Sequence, residues 1–327
     1  MSSSKRPLLG LVVPCLNEAE ILRSSAQALK LKIKSLAERG MIDETSKIYF
    51  IDDGSTDETW GIISRLAESE ECFVGIKLTR NFGHQYAVYA GLLQAKGDAL
   101  ISIDADLQDD INAIDSMVDE YLQGSEIVYG VRADRHSDKK FKRWTASLHY
   151  WFTGILGVRT IPNHADFRLL SRRAVSLLGQ YRETNLYLRG VVPLLGLSSS
   201  EVYYARSPRQ AGESKYGIVD MLGLSAQGIT SFSIVPLRVI SIIGLVVFLI
   251  STAFGLWALY AAMIGLSTPI QGWAPTGIPI YLLGGLQILS IGVVGEYIGK
   301  TYMEVKNRPT YLIEKTTSDK DNRNESD

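Results

Sequence analysis

Two carboxylates, Asp104 and Asp106, stand two residues apart with the amide of Gln108 close behind, directly after the apolar stretch Ala99–Ile103. Oxygen donors in that spacing suit a hard divalent cation. Magnesium or manganese takes one or two protein carboxylates and fills the rest of its shell with water and substrate phosphates. By itself Asp-x-Asp is equally a solvated turn or an acidic cluster at a helix N-terminus. A second acidic turn, Asp52-Asp-Gly-Ser-Thr-Asp57, follows the apolar Lys47–Ile51. Asp57 can cap the next helix, and Asp52 or Asp53 can accept the ring N–H that uracil and guanine carry. Taken alone, this second turn is best read as turn and cap. His84, alone beside Gly83, reads as a structural or polar contact rather than a catalyst.

These turns need a scaffold, and the chain supplies one by alternation. Leu9–Val13 is a short apolar run stopped by Pro14, and a helical stripe follows at Ile21, Leu22, Ala26, Leu29, Ile33 and Leu36. Lys47–Ile51, Phe73–Leu78, Ala99–Ile103 and Glu126–Val131 read as strands, and Asp57–Glu70, Gln85–Lys96 and Ile111–Gln123 as helices. The alternation predicts a largely parallel sheet with helices on both faces. Ligands of such sheets bind beyond the carboxyl ends of the strands, where Pro14-Cys-Leu-Asn-Glu18 joins the two acidic turns. Neither Gly-x-Gly-x-x-Gly after the first strand nor Gly-x-x-x-x-Gly-Lys-Ser/Thr is present, so a nucleotide is held by other means and an oxidoreductase is disfavoured.

Among 327 residues, 34 Lys+Arg nearly balance 35 Asp+Glu, which argues against a nucleic-acid-binding surface. Cys15 and Cys72 are expected as reduced thiols in apolar surroundings, with no zinc spacing. Met1–Pro7 lacks the apolar core of a signal peptide, so the globular part is expected in the cytoplasm. From Val239 to Gly295 there is no Asp, Glu, Lys or Arg. Pro269, Pro275 and Pro279 split this run into two expected spans, Val239–Met263 and Ile280–Ile298, since about 20 residues cross a bilayer. Arg238 precedes the first span, and Lys300, Lys306 and Arg308 follow the second. The positive-inside rule then puts both termini in the cytoplasm. Ser214–Ser233 reads as an amphipathic interfacial helix, and the polar tail Thr316–Asp327 as disordered.

Several motifs together resemble the family 2 glycosyltransferases with a GT-A fold: Val12-Val-Pro-Cys-Leu-Asn-Glu18, Asp52-Asp-Gly-Ser-Thr-Asp57, Arg80-Asn-Phe-Gly-His-Gln85 and Asp104-Ala-Asp-Leu-Gln108. Asp166-Phe-Arg168, Arg206-Ser-Pro-Arg-Gln-Ala-Gly-Glu-Ser-Lys-Tyr216 and the ending Gly295–Pro309 are similar to the subgroup that glycosylates polyprenyl phosphates, which includes dolichyl-phosphate mannose synthases and bacterial GtrB-type enzymes. The resemblance implies an α/β architecture: a GT-A (Rossmann-like, mostly parallel) domain at 1–210, a juxtamembrane segment at 211–233, two transmembrane helices at 234–303 and a tail at 304–327.

The resemblance also implies roles. Pro14, Asn17, Glu18, Asp52 or Asp53, and Arg80 face the nucleoside. Asp104, Asp106 and Gln108 serve the metal, Mg2+ or Mn2+, and the diphosphate, with Arg209 and Lys215 on a loop over it. Arg132, Lys142, Arg143 and Ser147 lie where the subgroup holds the lipid phosphate; a basic face toward anionic lipid headgroups is the other reading. Arg168 is expected on that phosphate too, with Asp166 orienting this side or taking the last proton, and Asp106 and Asp166 as the catalytic carboxylates. Leu16 departs from the pattern, since the family often has an aromatic residue there, which puts base packing at that point in doubt. The expected reaction is inverting transfer from UDP-glucose to an undecaprenyl-type phosphate at the inner membrane, by a chain able to form a homo-oligomer. GDP-mannose, a UDP-N-acetylhexosamine or a UDP-aminoarabinose derivative are alternative donors. A processive polysaccharide synthase is disfavoured by the absence of Gln-x-x-Arg-Trp; an inactive membrane scaffold is the alternative of another class.

Overall fold

The computed structural model describes residues 6–132, 164–181, 183, 187–205, 235–264 and 274–317. The chain forms two compact units. Among the described residues the first holds eight strands, β1 (Leu9–Cys15), β2 (Lys47–Asp52), β3 (Phe73–Leu78), β4 (Ala99–Ser102), β5 (Ile127–Arg132), β6 (His164–Ser171), β7 (Ser199–Tyr204) and β8 (Ile313–Thr316). Its helices are α1 (Leu22–Glu38), α2 (Thr59–Ser69), α3 (His84–Gln94), α4 (Ala113–Leu122), α5 (Arg172–Leu178) and α6 (Leu188–Leu194). The second unit holds α7 (Val235–Met263) and α8 (Ala274–Val305).

The strands form one mixed sheet in the order β7-β5-β6-β4-β1-β2-β3-β8. Its centre, β4-β1-β2-β3, is parallel as the alternation predicts. Every residue of β1 is buried, as a central strand covered on both faces requires. On α1 the apolar stripe Leu22, Ala26, Leu29, Ile33 and Leu36 is buried against the sheet. Gly91 lets α3 lie against β1 and β2, because a Cβ there would meet Val12 and Ile51 side chains. Both cysteines are free, Cys15 buried and Cys72 partly so.

Outside that centre the sheet departs from a parallel reading. β6 runs antiparallel between β4 and β5. The strand after β4 in sequence therefore does not pair with it, and β5 instead pairs parallel with β7. At the opposite edge β8 lies antiparallel on β3, where the sequence offers only the approach to a polar tail. Thr79 donates its backbone N–H to Leu312 and Gly75 donates to Thr317 Oγ1. Tyr311 meets Tyr89 edge to face at 6.2 Å, and Lys77 pairs with Glu314 at 3.1 Å.

In the second unit α7 and α8 are continuous over 29 and 32 residues and touch each other. Pro275 and Pro279, expected in the break, lie in the opening turns of α8; Pro275, the second residue, lacks an N–H that would have no partner within the helix, whereas Pro279, the sixth, forfeits one bond of the second turn. Among the described residues no helix is long and apolar enough to cross a membrane. Ile242, Leu245, Ile250, Leu256, Ile288 and Ile291 are nonetheless exposed. The expected interfacial helix at 214–233 lies outside the described residues.

The strap carrying β8 shields the outer edge of β3, which would otherwise present a row of unpaired backbone groups. Deleting residues 311–327 should lower stability by about 2–4 kcal/mol, at roughly 1 kcal/mol for each hydrogen bond lost. A thermal midpoint unchanged by the deletion would show that β8 contributes nothing to the sheet.

Candidate active site

The turns that follow β1 and β2 are fastened to each other. Asn17, with φ 56°, sends its backbone N–H to Ser55 Oγ at 3.0 Å and accepts the Thr56 N–H on Oδ1 at 2.9 Å. Glu18 N donates to Thr59 Oγ1 at 2.9 Å, and Ala19 N to Asp57 Oδ2 at 3.2 Å. Asp57 Oδ1 also accepts the Thr59 N–H at 3.0 Å, so it joins two turns as well as the start of α2. Burial opposes the charge on Asp57, but bonds from Thr59 and the Ala19 amide outweigh it and hold its carboxyl below the usual range.

Asp53 reaches a third segment. Its two oxygens accept the backbone N–H groups of Phe82 and Gly83 at 2.8 and 2.9 Å, fixing the loop that delivers His84 at the head of α3. Gly54 sits where these segments press together: its φ is +71°, and a Cβ there would fall 2.5 Å from the backbone of Arg80 and Asn81. Asp52 and Asp53 are both buried. Burial raises both carboxyls above the usual range, against the bonds from Ser55 and from Phe82 and Gly83. Asp52 Oδ1 accepts the Ser55 N–H at 3.3 Å, whereas its Oδ2 has no hydrogen-bond partner among the described residues. Of the two carboxylates expected at a nucleobase, Asp53 is therefore committed to backbone, and the unmet acceptor belongs to Asp52.

Past β4, Asp104 and Asp106 are half-buried. Gln108 donates its side-chain amide to Asp106 Oδ2 at 2.7 Å, so it orients that carboxylate. His84 Nε2 lies 3.5 Å from Asp104 Oδ1 and 3.8 Å from Asp166 Oδ2. Burial raises the Asp104 carboxyl; His84 opposes this, while Asp166, Asp109 and Asp106 add to it. Carboxylates crowded this way are electrostatically suited to a divalent cation. Among the described residues no group of three or more His, Cys, Asp or Glu is arranged to hold a metal. Two carboxylates, Asp104 and Asp106, suit an ion that takes one or two protein oxygens and completes its shell from phosphate and water.

Asp166, on β6, is the hub of a cluster that the sequence showed only in part. Arg168 donates to its Oδ1 at 2.5 Å. Arg189, from α6, donates Nε to Oδ1 at 3.2 Å and Nη2 to Oδ2 at 3.0 Å. Gln85 donates to Oδ2 at 3.4 Å and accepts the Leu188 N–H at 3.1 Å. Burial alone would raise the Asp166 carboxyl, but Arg168 and Arg189 outweigh it and hold the group well below the usual carboxylate range. Arg168 is 1% exposed and donates its other arm to the Leu188 carbonyl. In this position it is a counter-ion behind Asp166 rather than a group facing a lipid phosphate. Arg132 ends β5 and donates to buried Asp109 at 3.3 Å, and Tyr204 OH donates to the same oxygen at 2.7 Å.

Of the other expected site residues, Pro14 is buried, Asn17 and Arg80 are exposed and Glu18 is partly buried. The Arg80 guanidinium lies over the Phe82 ring, 3.9 Å from its centroid. Leu16, where an aromatic residue is common, is 40% exposed at the β1 turn. Lys142, Arg143, Ser147, Arg209 and Lys215 lie outside the described residues. The sequence assigns no role to Gln85, Asp109, Arg189 or Tyr204. Gln85 closes the Arg80–Gln85 motif and Asp109 follows the Asp104 turn, but Arg189 and Tyr204 stand in no such motif, and only spatial convergence reveals what all four do. A cavity of about 430 Å³ lined by Lys30, Lys34, Glu38 and Cys72 is formed by residues other than those of this acidic edge.

The family model described as Glycosyl transferase family 2 matches residues 11–192. An uncharacterized glycosyltransferase, YkoT, of Bacillus subtilis (strain 168) is 46% identical over 94% of this chain and 92% of its own. The SfII prophage-derived bactoprenol glucosyl transferase of Shigella flexneri is 40% identical over 94% of this chain and 98% of its own. Among solved structures, glucosyl-3-phosphoglycerate synthase from Mycobacterium tuberculosis, in complex with Mn2+, UDP and phosphoglyceric acid, aligns with a TM-score of 0.45 at 20% identity, over 68% of this chain and 76% of that one.

Asp52 allows a test of how site and stability oppose each other. Its folded carboxyl titrates above its unfolded value. The cost of its charge is therefore absent below the unfolded pKa of about 4, grows as pH rises through the folded pKa, and is complete above it. Asp52→Asn removes that charge and should raise the thermal midpoint at pH 8 by about 2–4 °C. The gain should shrink as pH falls toward the carboxylate range. A gain independent of pH would show that the Asp52 charge is not its source.

Proposed function

We propose that this chain, which belongs to glycosyl transferase family 2, transfers a sugar from a nucleoside diphosphate donor to a polyprenyl phosphate at a membrane surface. The observation that carries the reading is the juxtaposition of an acidic turn, Asp104 and Asp106, with the arginine-bound carboxylate Asp166, bridged by His84. The acidic turn suits a metal-bound diphosphate, and the part-exposed Arg132 suits a second anion. Relatives named bactoprenol glucosyl transferases, matched along nearly their whole length, support the lipid acceptor and make UDP-glucose the first donor to test. GDP-mannose and other UDP-sugars are the alternatives.

The chemistry asks mainly for placement. A phosphate monoester has its second pKa near 6, so the acceptor is largely dianionic at neutral pH and needs little help from a base. Its oxygen would displace the nucleoside diphosphate at the anomeric carbon in one step, with inversion. Asp104 and Asp106 would hold a divalent ion, which supplies charge neutralisation to the leaving diphosphate. Gln108 keeps Asp106 oriented. Asp166 is too weak a base, between two guanidiniums, to take a proton at neutral pH; its task is to orient arginine. Arg132, held by Asp109, suits the acceptor phosphate through its planar fork, together with Arg143 and Ser147.

We further propose that α7 and α8 are the two membrane spans. No described helix is by itself long and apolar enough to cross a membrane, so the proposal rests on the run Val239–Gly295, which carries no Asp, Glu, Lys or Arg, together with helix lengths of about 43 and 48 Å at 1.5 Å per residue against a hydrocarbon core of about 30 Å. Their exposed leucines and isoleucines would be costly in water. The pairing of β8 with β3 adds a parity argument: residues 313–316 and 73–78 must share one side of any bilayer, so the chain between them crosses an even number of times.

Purified protein with a polyprenyl phosphate and a panel of nucleotide sugars should release nucleoside diphosphate only when the lipid is present, fastest from UDP-glucose. Asp104→Asn should slow this by about 10²-fold or more, and excess EDTA should stop it. Turnover undiminished in EDTA would remove the metal, and absence of turnover with every donor would favour an inactive scaffold. For topology, a cysteine at Thr276 in intact cells should react with an impermeant reagent, and one at Thr317 should not. The reverse pattern would overturn the orientation.

A further inference from the structure

We infer that Arg189 is a phosphate-binding residue of this site, presented to solvent by Asp166 while Arg168 supplies the buried counter-charge. The inference rests on the reading above and adds a residue to it. One carboxylate faces two guanidiniums, and the two differ in setting. The Arg168 side chain is 1% exposed, with one arm on Asp166 and the other on the Leu188 carbonyl. The Arg189 side chain is 37% exposed and meets Asp166 edge-on through Nε and Nη2. Against Asp166 the two guanidiniums leave one positive charge unmatched, and the more exposed of them is that of Arg189.

Geometry narrows what that charge can hold. A guanidinium has five N–H donors in a plane. With one edge fixed on a carboxylate, the rest of the fork keeps a set direction and suits a second oxyanion of matching shape, such as phosphate. The negative groups around Arg189 include Asp104 as well as Asp166, so the fork lies within electrostatic reach of the carboxylate proposed to carry the metal. An anion at Arg189 is thus one that approaches the metal site without occupying it. The donor diphosphate and the lipid phosphate both meet that description, and both present the same chemistry. Arg189 stands one residue into the apolar α6, with no motif around it.

The test uses the full chain in detergent, with Arg189→Gln and Arg189→Lys beside the wild type. UDP binding, polyprenyl phosphate binding and the KM for each substrate are measured, with thermal midpoints as a fold control. Arg189→Gln should weaken one of the two ligands about tenfold or more at a near wild-type midpoint, and Arg189→Lys should restore part of the loss. Weakened lipid binding with unchanged UDP affinity assigns the acceptor phosphate; the converse assigns the diphosphate. Unchanged affinity for both ligands overturns the inference, whether kcat falls or not, because Arg189 would then only hold Asp166 in place. If the wild type binds both ligands without turnover, the proposed activity fails, while the binding comparison still decides the role of Arg189.

Discussion

The contact between the Asp53 carboxylate and the Phe82 and Gly83 amides is the constraint on which the rest of the site depends. β1, β2 and β3 end side by side, and each chain then turns away, leaving backbone groups without ladder partners. Buried groups of this kind must be satisfied, and here the turns satisfy one another. Asp53 ties the β2 turn to the β3 loop, while Asn17 and Asp57 tie the β1 turn to the β2 turn. Charge-assisted bonds of this type contribute about 1.5–3 kcal/mol each, while burying a carboxylate costs several kcal/mol. The net gain in stability is small. What the contact secures is position, and His84 follows directly from it at the start of α3.

A second ionic arrangement holds the opposite half of the site. Asp166 and Arg168 occupy the interior of β6, a central strand hydrogen-bonded on both sides. A lone charge there would be prohibitive, but paired charges with added hydrogen bonds from Gln85 and Arg189 are tolerable. The same cluster links β6, α3 and α6, so elements distant in sequence converge on one carboxylate. Asp109 does similar work between β5 and β7, through Arg132 and Tyr204. In both clusters a half-exposed arginine is anchored by an acid and keeps a fixed direction, which a flexible surface lysine would lack.

The sheet's outer edge follows a different logic. β3 would be an open edge if the first unit ended at β7. Ile313–Thr316 closes it after the chain has passed through α7 and α8. The catalytic unit is therefore discontinuous in sequence, with the apolar helices as an insertion between its seventh and eighth strands.

Much of this was legible in the residues themselves. The parallel centre of the sheet followed from apolar runs alternating with helical stripes, and Phe73–Leu78 falls where the pattern put it. The acidic turns stood out because carboxylates directly after buried strands need a reason. β6 was not legible: Asp166 and Arg168 break the apolar pattern, and the charges become acceptable only once they meet each other, Gln85 and Arg189 across the fold. β8 was hidden for the opposite reason, since a short polar segment reads as tail until an unpaired edge is there to receive it. Asp53 and Arg168 looked like ligand-facing groups by type and place, and tertiary structure turned one onto backbone amides and the other behind Asp166. Sequence determined which chemistry the strand ends could hold, because residue type and local period are intrinsic to the chain. Tertiary structure decided which charged group faces outward, because that depends on which partners, remote in sequence, reach each charge first.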